Sequence, residues 1–134
     1  MISDIKIAIN DKLREIYPHG YMIYNEDLPE DMGKPSFLIT TTSLSYNKIF
    51  QNKYATNISY DISYFSDQSA IRTDLVRVQE ELVKAFHLDG TYQVMNKIAR
   101  ITENVLHFTF DIQLLEKEEK VAPIMLKQEV TTNL

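Results

Sequence analysis

The chain has 134 residues, 44% hydrophobic and 25% charged, an ordinary balance for one globular domain with a real core. It has no cysteine, which excludes disulfides, thiolate metal sites and cysteine nucleophiles. The net charge of −5 and the pI of about 5.1, with lysines and arginines scattered singly, argue against a surface that grips nucleic acid.

The first 16 residues carry Asp4, Lys6, Asp11, Lys12, Arg14 and Glu15, so they do not form the apolar core of a signal peptide. No apolar run approaches the ~20 residues that span a bilayer. The expectation is a soluble protein without a membrane partner, made in the cytoplasm. Residues 3–16 read as a helix, because Ile2, Ile5, Ile9, Leu13 and Ile16 fall on one face. Ser3 is the expected N-cap, and Pro18 and Gly20 end the helix. Tyr21–Tyr24 is a short strand. Residues 25–35 form an acidic loop with Glu26, Asp27, Glu30 and Asp31 between turn-forming residues.

Ser36–Ser43 is β-branched and aromatic, which predicts a strand. Leu44–Lys53 is expected as a loop that exposes Tyr46, Ile49 and Phe50. Over 54–65, Tyr54, Thr56, Ile58, Tyr60, Ile62 and Tyr64 alternate with small and polar residues, the period of a strand with one buried face. A second helix is expected over 68–87, with Ser66 or Asp67 as cap and Gly90 as its left-handed stop. Its apolar stripe is Ile71, Leu75, Val78, Leu82, Ala85 and Phe86.

Strands at 91–101 and 105–115 flank the short turn Glu103-Asn104 and should pair as a hairpin. In the second, Leu106, Phe108, Phe110, Ile112 and Leu114 face one way, with His107, Thr109, Asp111 and Gln113 opposite. The domain organisation read from this pattern is one α+β domain over 1–115 and an extended tail over 116–134. The domain is an antiparallel or mixed sheet of four to five strands with two helices on it, the other sheet face being polar.

Chemistry is scarce in this pattern. His19, His87 and His107 have no partner at metal-ligand spacing. The four carboxylates of the acidic loop do not sit on rigid elements in opposed environments, as acid–base catalysis requires. Three isolated glycines cannot make a phosphate loop, and no nucleophile motif occurs. Tyr54, Tyr60 and Tyr64 share a strand face, but a stacking platform for single-stranded nucleic acid needs basic flanks that are missing. The reading is therefore no enzyme, no catalytic residue, no cofactor and no metal. What remains is surface for assembly: the acidic loop residues Glu26, Asp27, Glu30 and Asp31, the apolar group Tyr46, Ile49 and Phe50, and the tail triplet Ile124, Met125 and Leu126.

Three segments, in order, resemble one family. They are Ile23-Tyr24-Asn25-Glu26-Asp27 followed by Gly33-Lys34-Pro35-Ser36-Phe37-Leu38-Ile39, then Ile58-Ser59-Tyr60-Asp61-Ile62-Ser63-Tyr64-Phe65, then Val105-Leu106-His107-Phe108-Thr109-Phe110-Asp111. Together with the order of elements, they resemble tail-terminator proteins of phages and defective prophages of Gram-positive bacteria, over about residues 1–115. Thr40-Thr41-Thr42, where a more apolar strand end belongs, and the long tail depart from that pattern. The resemblance implies a structural subunit of a phage tail or tail-like particle. Such subunits close into a ring, usually of six, that caps the tail tube, ends its polymerisation and meets the head–tail connector or, in a contractile tail, the sheath. DNA would pass through the lumen without sequence-specific binding. The alternative, from a different class, is a non-enzymatic α+β adaptor in another assembly.

Overall fold

The computed structural model describes residues 2–90 and 92–117. Two helices and five strands follow in the order α1 (Ile2–Ile16), β1 (Met22–Asn25), β2 (Ser36–Phe50), β3 (Lys53–Phe65), α2 (Ile71–Ala85), β4 (Gln93–Thr102) and β5 (Val105–Lys117). The strands form one mixed sheet in the order β1-β2-β3-β5-β4, so the fold is α+β as the pattern implied. Of the described residues, one compact unit holds those up to Ser45 and from Asn57 to Leu114; Tyr46–Thr56 and Leu115–Lys117 fall to a second.

In the larger unit β1 runs parallel to the start of β2, from Met22↔Ser36 to Asn25↔Ile39. The ladder is prolonged at both ends, where the Met22 N–H donates to the Pro35 carbonyl and the Glu26 N–H to the Ile39 carbonyl. Strand β5 pairs antiparallel with β4, joined through Glu103 and Asn104. Both turn residues are left-handed (φ 50° and 62°), the geometry whose twist matches the flanking strands. A register shift lies between Met95 and Ile98 of β4, where Asn96 is also left-handed.

The alternating apolar residues of β3 and β5 all turn to one face. Ile58, Tyr60, Ile62, Tyr64, Leu106, Phe108, Phe110 and Ile112 are essentially inaccessible. On that face α1 lays Ile5, Ile9 and Leu13, and α2 lays Leu75, Val78 and Leu82. Each helical set recurs at three- and four-residue spacing, which is why one stripe is buried and the remainder is wet. Two aromatic groups fill the layer: Tyr17, Tyr21, Phe37 and Tyr64, and Phe86, Phe108 and Phe110, with neighbouring centroids 4.9–6.2 Å apart.

Polar bonds fasten both helices. Asp74, buried in α2, accepts from the Tyr64 and Ser66 hydroxyls at 2.6 Å each and from Arg77 at 2.7 Å. Burial alone would raise the Asp74 carboxyl, but the donors Ser66, Tyr64 and Arg77 outweigh it and hold the group below its ordinary range. Arg77 continues to Glu81, which accepts from the Tyr17 hydroxyl at the end of α1 at 2.7 Å. Burial and the Glu81 bond push the Tyr17 phenol up, and burial and the Asp74 bond do the same to Tyr64.

Several local expectations are corrected. Leu44–Lys53 is not a loop: β2 runs on to Phe50 and β3 starts at Lys53, leaving only Gln51 and Asn52 as the turn. The second helix begins at Ile71 with Ala70 as N-cap and no side-chain cap bond. Ser66 is held by Asp74 instead, while Asp67 accepts from the Gln68 side chain. Gly90 is left-handed but does not stop the helix; Phe86, extended, is the C-cap and bonds the Leu82 carbonyl. Ser3 lies inside the first turn of α1 rather than ahead of it.

Candidate assembly surfaces

Candidate side chains occupy three surfaces. In the larger unit a groove of about 640 Å³ runs between α1 and the β1–β2 edge, lined by Lys6, Ile7, Asn10 and Asp11 from the helix and by Asn25, Glu26 and Thr41. Ile7 falls on the face of α1 away from Ile5 and Ile9 and is 58% exposed. The Asn10 and Asn25 amides pair reciprocally at 3.0 and 3.1 Å, and Asn10 also donates to the Lys6 carbonyl at 2.8 Å. These bonds fix the helix wall against the strand wall.

Glu26 is the keystone of that groove. It leaves β1 in a left-handed conformation (φ 67°), which turns its side chain back over the sheet edge. Its carboxylate accepts from the Thr41 hydroxyl at 2.7 Å and the Thr41 N–H at 3.2 Å, and pairs with the Lys6 ammonium. The carboxylate thus takes a β2 backbone donor beyond the last β1 pair. Lys6 foremost, then Thr41, holds the Glu26 carboxyl below its ordinary range against a smaller opposing effect of burial. Thr41, a departure from the expected apolar strand end, is the residue this bond requires.

The other acidic-loop residues behave differently. Asp27, Glu30 and Asp31 are exposed, and no ion pair engages them among the described residues. The loop is closed on β1 by the Tyr24 hydroxyl, which accepts from the Gly33 N–H at 2.9 Å. The four carboxylates therefore do not act as one cluster: one is built into the groove and three face water.

The second surface is the hairpin end, in the smaller unit. Tyr46, Ile49 and Phe50 are 60%, 55% and 63% exposed. The Tyr46 ring stacks on Tyr54 with centroids 5.1 Å apart and planes 4° from parallel. Tyr60 and Tyr64 are core residues of the larger unit. Lys48 and Lys53 are the only charged residues of Tyr46–Thr56. The tail triplet Ile124, Met125 and Leu126 lies outside the described residues.

The third surface, absent from the sequence-based candidates, is the sheet face opposite the helices. Ser59 donates to Asp111 at 2.6 Å, Asn96 donates to the other oxygen of Asp111 at 2.8 Å, and Gln113 donates to Asn57 at 3.1 Å. His107 Nδ1 lies 3.1 Å from Asp61 and 3.2 Å from the Ser63 hydroxyl. Serine, histidine and aspartate here are not a relay, because both partners meet the same ring nitrogen, whereas a triad needs one on each. The polar alternation of β3 and β5 was visible in the sequence; the cross-strand partners require the register, which was not.

Among the described residues no helix is long and apolar enough to cross a membrane, and no three metal-ligating side chains gather. Compared with known proteins, residues 4–124 match a family model described as phage tail terminator protein. No curated protein matches the chain.

Proposed function

We propose a ring-forming role for this chain, which belongs to the phage tail terminator protein family and is therefore a structural protein of the phage tail. Copies of the chain close into a ring of six at the end of the tail tube. The ring stops tube polymerisation and presents its far side to the head–tail connector or, in a contractile tail, to the sheath. The particle is a phage or defective prophage of a Gram-positive host, assembled in the host cytoplasm. The observation that carries this reading is the family match across nearly the whole chain.

Physical features support it. A capping subunit needs surfaces for its own copies and for the tube, and both the hairpin end and the α1–β1 groove are open. No residue performs a reaction in this reading; shape and stoichiometry do the work. The tail triplet Ile124 to Leu126 docks on a neighbouring subunit or tail partner.

The test is mass by light scattering for the chain alone and with polymerising tube protein, followed by negative-stain imaging. Rings, or tubes capped at a stopped length, are the expected result. A chain that stays monomeric and leaves tube length unchanged overturns the reading.

A further inference from the structure

The hairpin end and the α1–β1 groove are complementary in both apolar character and charge. The hairpin end exposes Ile49 and Phe50 and carries two lysines with no Asp or Glu. The groove exposes Ile7, and Asp11 lines it. Asp27 follows Glu26 at its strand side. Its own lysine, Lys6, is taken by Glu26, whereas no ion pair engages Asp11 or Asp27 among the described residues. The groove thus presents an apolar centre with the unpaired Asp11 carboxylate in its lining and Asp27 next in sequence to its Glu26, and the hairpin an apolar centre with two lysines in the same segment.

We propose that the groove of one copy receives the hairpin end of a second copy of this chain. Phe50 and Ile49 cover Ile7, and Lys48 and Lys53 face Asp11 and Asp27. This rests on the ring reading and names the contact that builds the ring. The two surfaces are different patches of one chain, so their contact is head-to-tail and repeats from copy to copy until the rotation closes. The apolar centre supplies most of the affinity, and the charges beside it supply steering and register. The Asn10–Asn25 pair and the Lys6–Glu26–Thr41 bonds hold the groove walls before binding, which lowers the ordering cost of association.

A chain without cysteine allows a direct test. Full-length Phe50→Cys and Ile7→Cys variants, each first checked by thermal melting, are mixed and oxidised with and without tube protein. The Phe50→Cys variant mixed with Val83→Cys, an exposed position on α2, is the control. A disulfide between the two variants in the first mixture, absent from the control, is expected. In parallel, Lys48→Glu should weaken self-association about tenfold, with recovery on pairing it with Asp27→Lys. If the wild type assembles, yet no such disulfide forms and the charge reversals change nothing, this contact is wrong and the tail reading stands. If the wild type neither assembles nor alters tube length, both fall.

Discussion

The Tyr64 hydroxyl meets the Asp74 carboxylate at 2.6 Å inside the protein, joining the middle of the sheet to the second helix. Ser66 and Arg77 complete the set around the same carboxylate. Asp74→Ala would strand two buried hydroxyls and take from Arg77 one of its two carboxylate partners, leaving it Glu81. Bonds to a charged, buried acceptor contribute more than neutral ones, so a loss of about 3 kcal/mol is expected. Urea unfolding measures it; a loss below about 1 kcal/mol would mean that apolar packing alone holds the helix in place.

The same carboxylate should make stability depend on pH on the acid side. Asp74 and Glu26 are both held below their ordinary ranges in the folded chain, while in the unfolded chain each titrates at about 4. Their contribution is thus complete above the unfolded value and is lost as pH falls through the folded one. Melting temperature should hold between pH 5 and 7 and fall steeply below about pH 4. Asp74→Asn should be less stable at neutral pH and should flatten the acid slope. An unchanged slope in that variant would assign the acid transition to other groups.

Tyr60 makes the opposite case. Its hydroxyl is buried without a hydrogen-bond partner among the described residues, and burial, with a further effect of Glu26, pushes the phenol up to about 12. A buried donor without an acceptor is costly. Tyr60→Phe keeps the ring against Phe110 and should stabilise the chain by about 1 kcal/mol. A destabilised variant would reveal an acceptor for that hydroxyl.

These cases mark what the sequence could disclose. The period-two residues of β3 and β5 and the stripes of both helices were legible because one face of each element is buried and the other is not. Tyr46–Phe50 was not: every residue of β2 from Thr41 to Phe50 is exposed, so no alternation between buried and wet positions was written there. The turn Gln51-Asn52 also lacks the glycine that signals a hairpin. Glu26 looked like one of four loop carboxylates, since its partners Lys6 and Thr41 are 20 and 15 residues away. Ser66 looked like a cap because its partner, Asp74, lies eight residues on, beyond the reach of a capping pattern.

Phe50→Asp separates assembly from folding. The side chain is exposed in the smaller unit, so the melting temperature should move little. Association should fall by tenfold or more if Phe50 anchors the contact, about the effect of losing an interface hot spot. A variant that melts far lower but still caps tubes would make Phe50 a folding residue instead.

The turn that closes β4 on β5 offers a gain instead of a loss. Glu103 and Asn104 both hold left-handed backbone, yet only the second is a residue type that enters that region readily. Thr102 pairs with Val105 directly across the turn, so two residues must carry the whole reversal. Exchanging Glu103→Asn with Asn104→Gly installs the pair this geometry favours and keeps the loop length. The strain relieved at Glu103 should stabilise the chain by about 1 kcal/mol, with core packing unchanged. Urea unfolding with an unaltered slope would attribute the gain to the native turn; a changed slope would shift it to the unfolded chain.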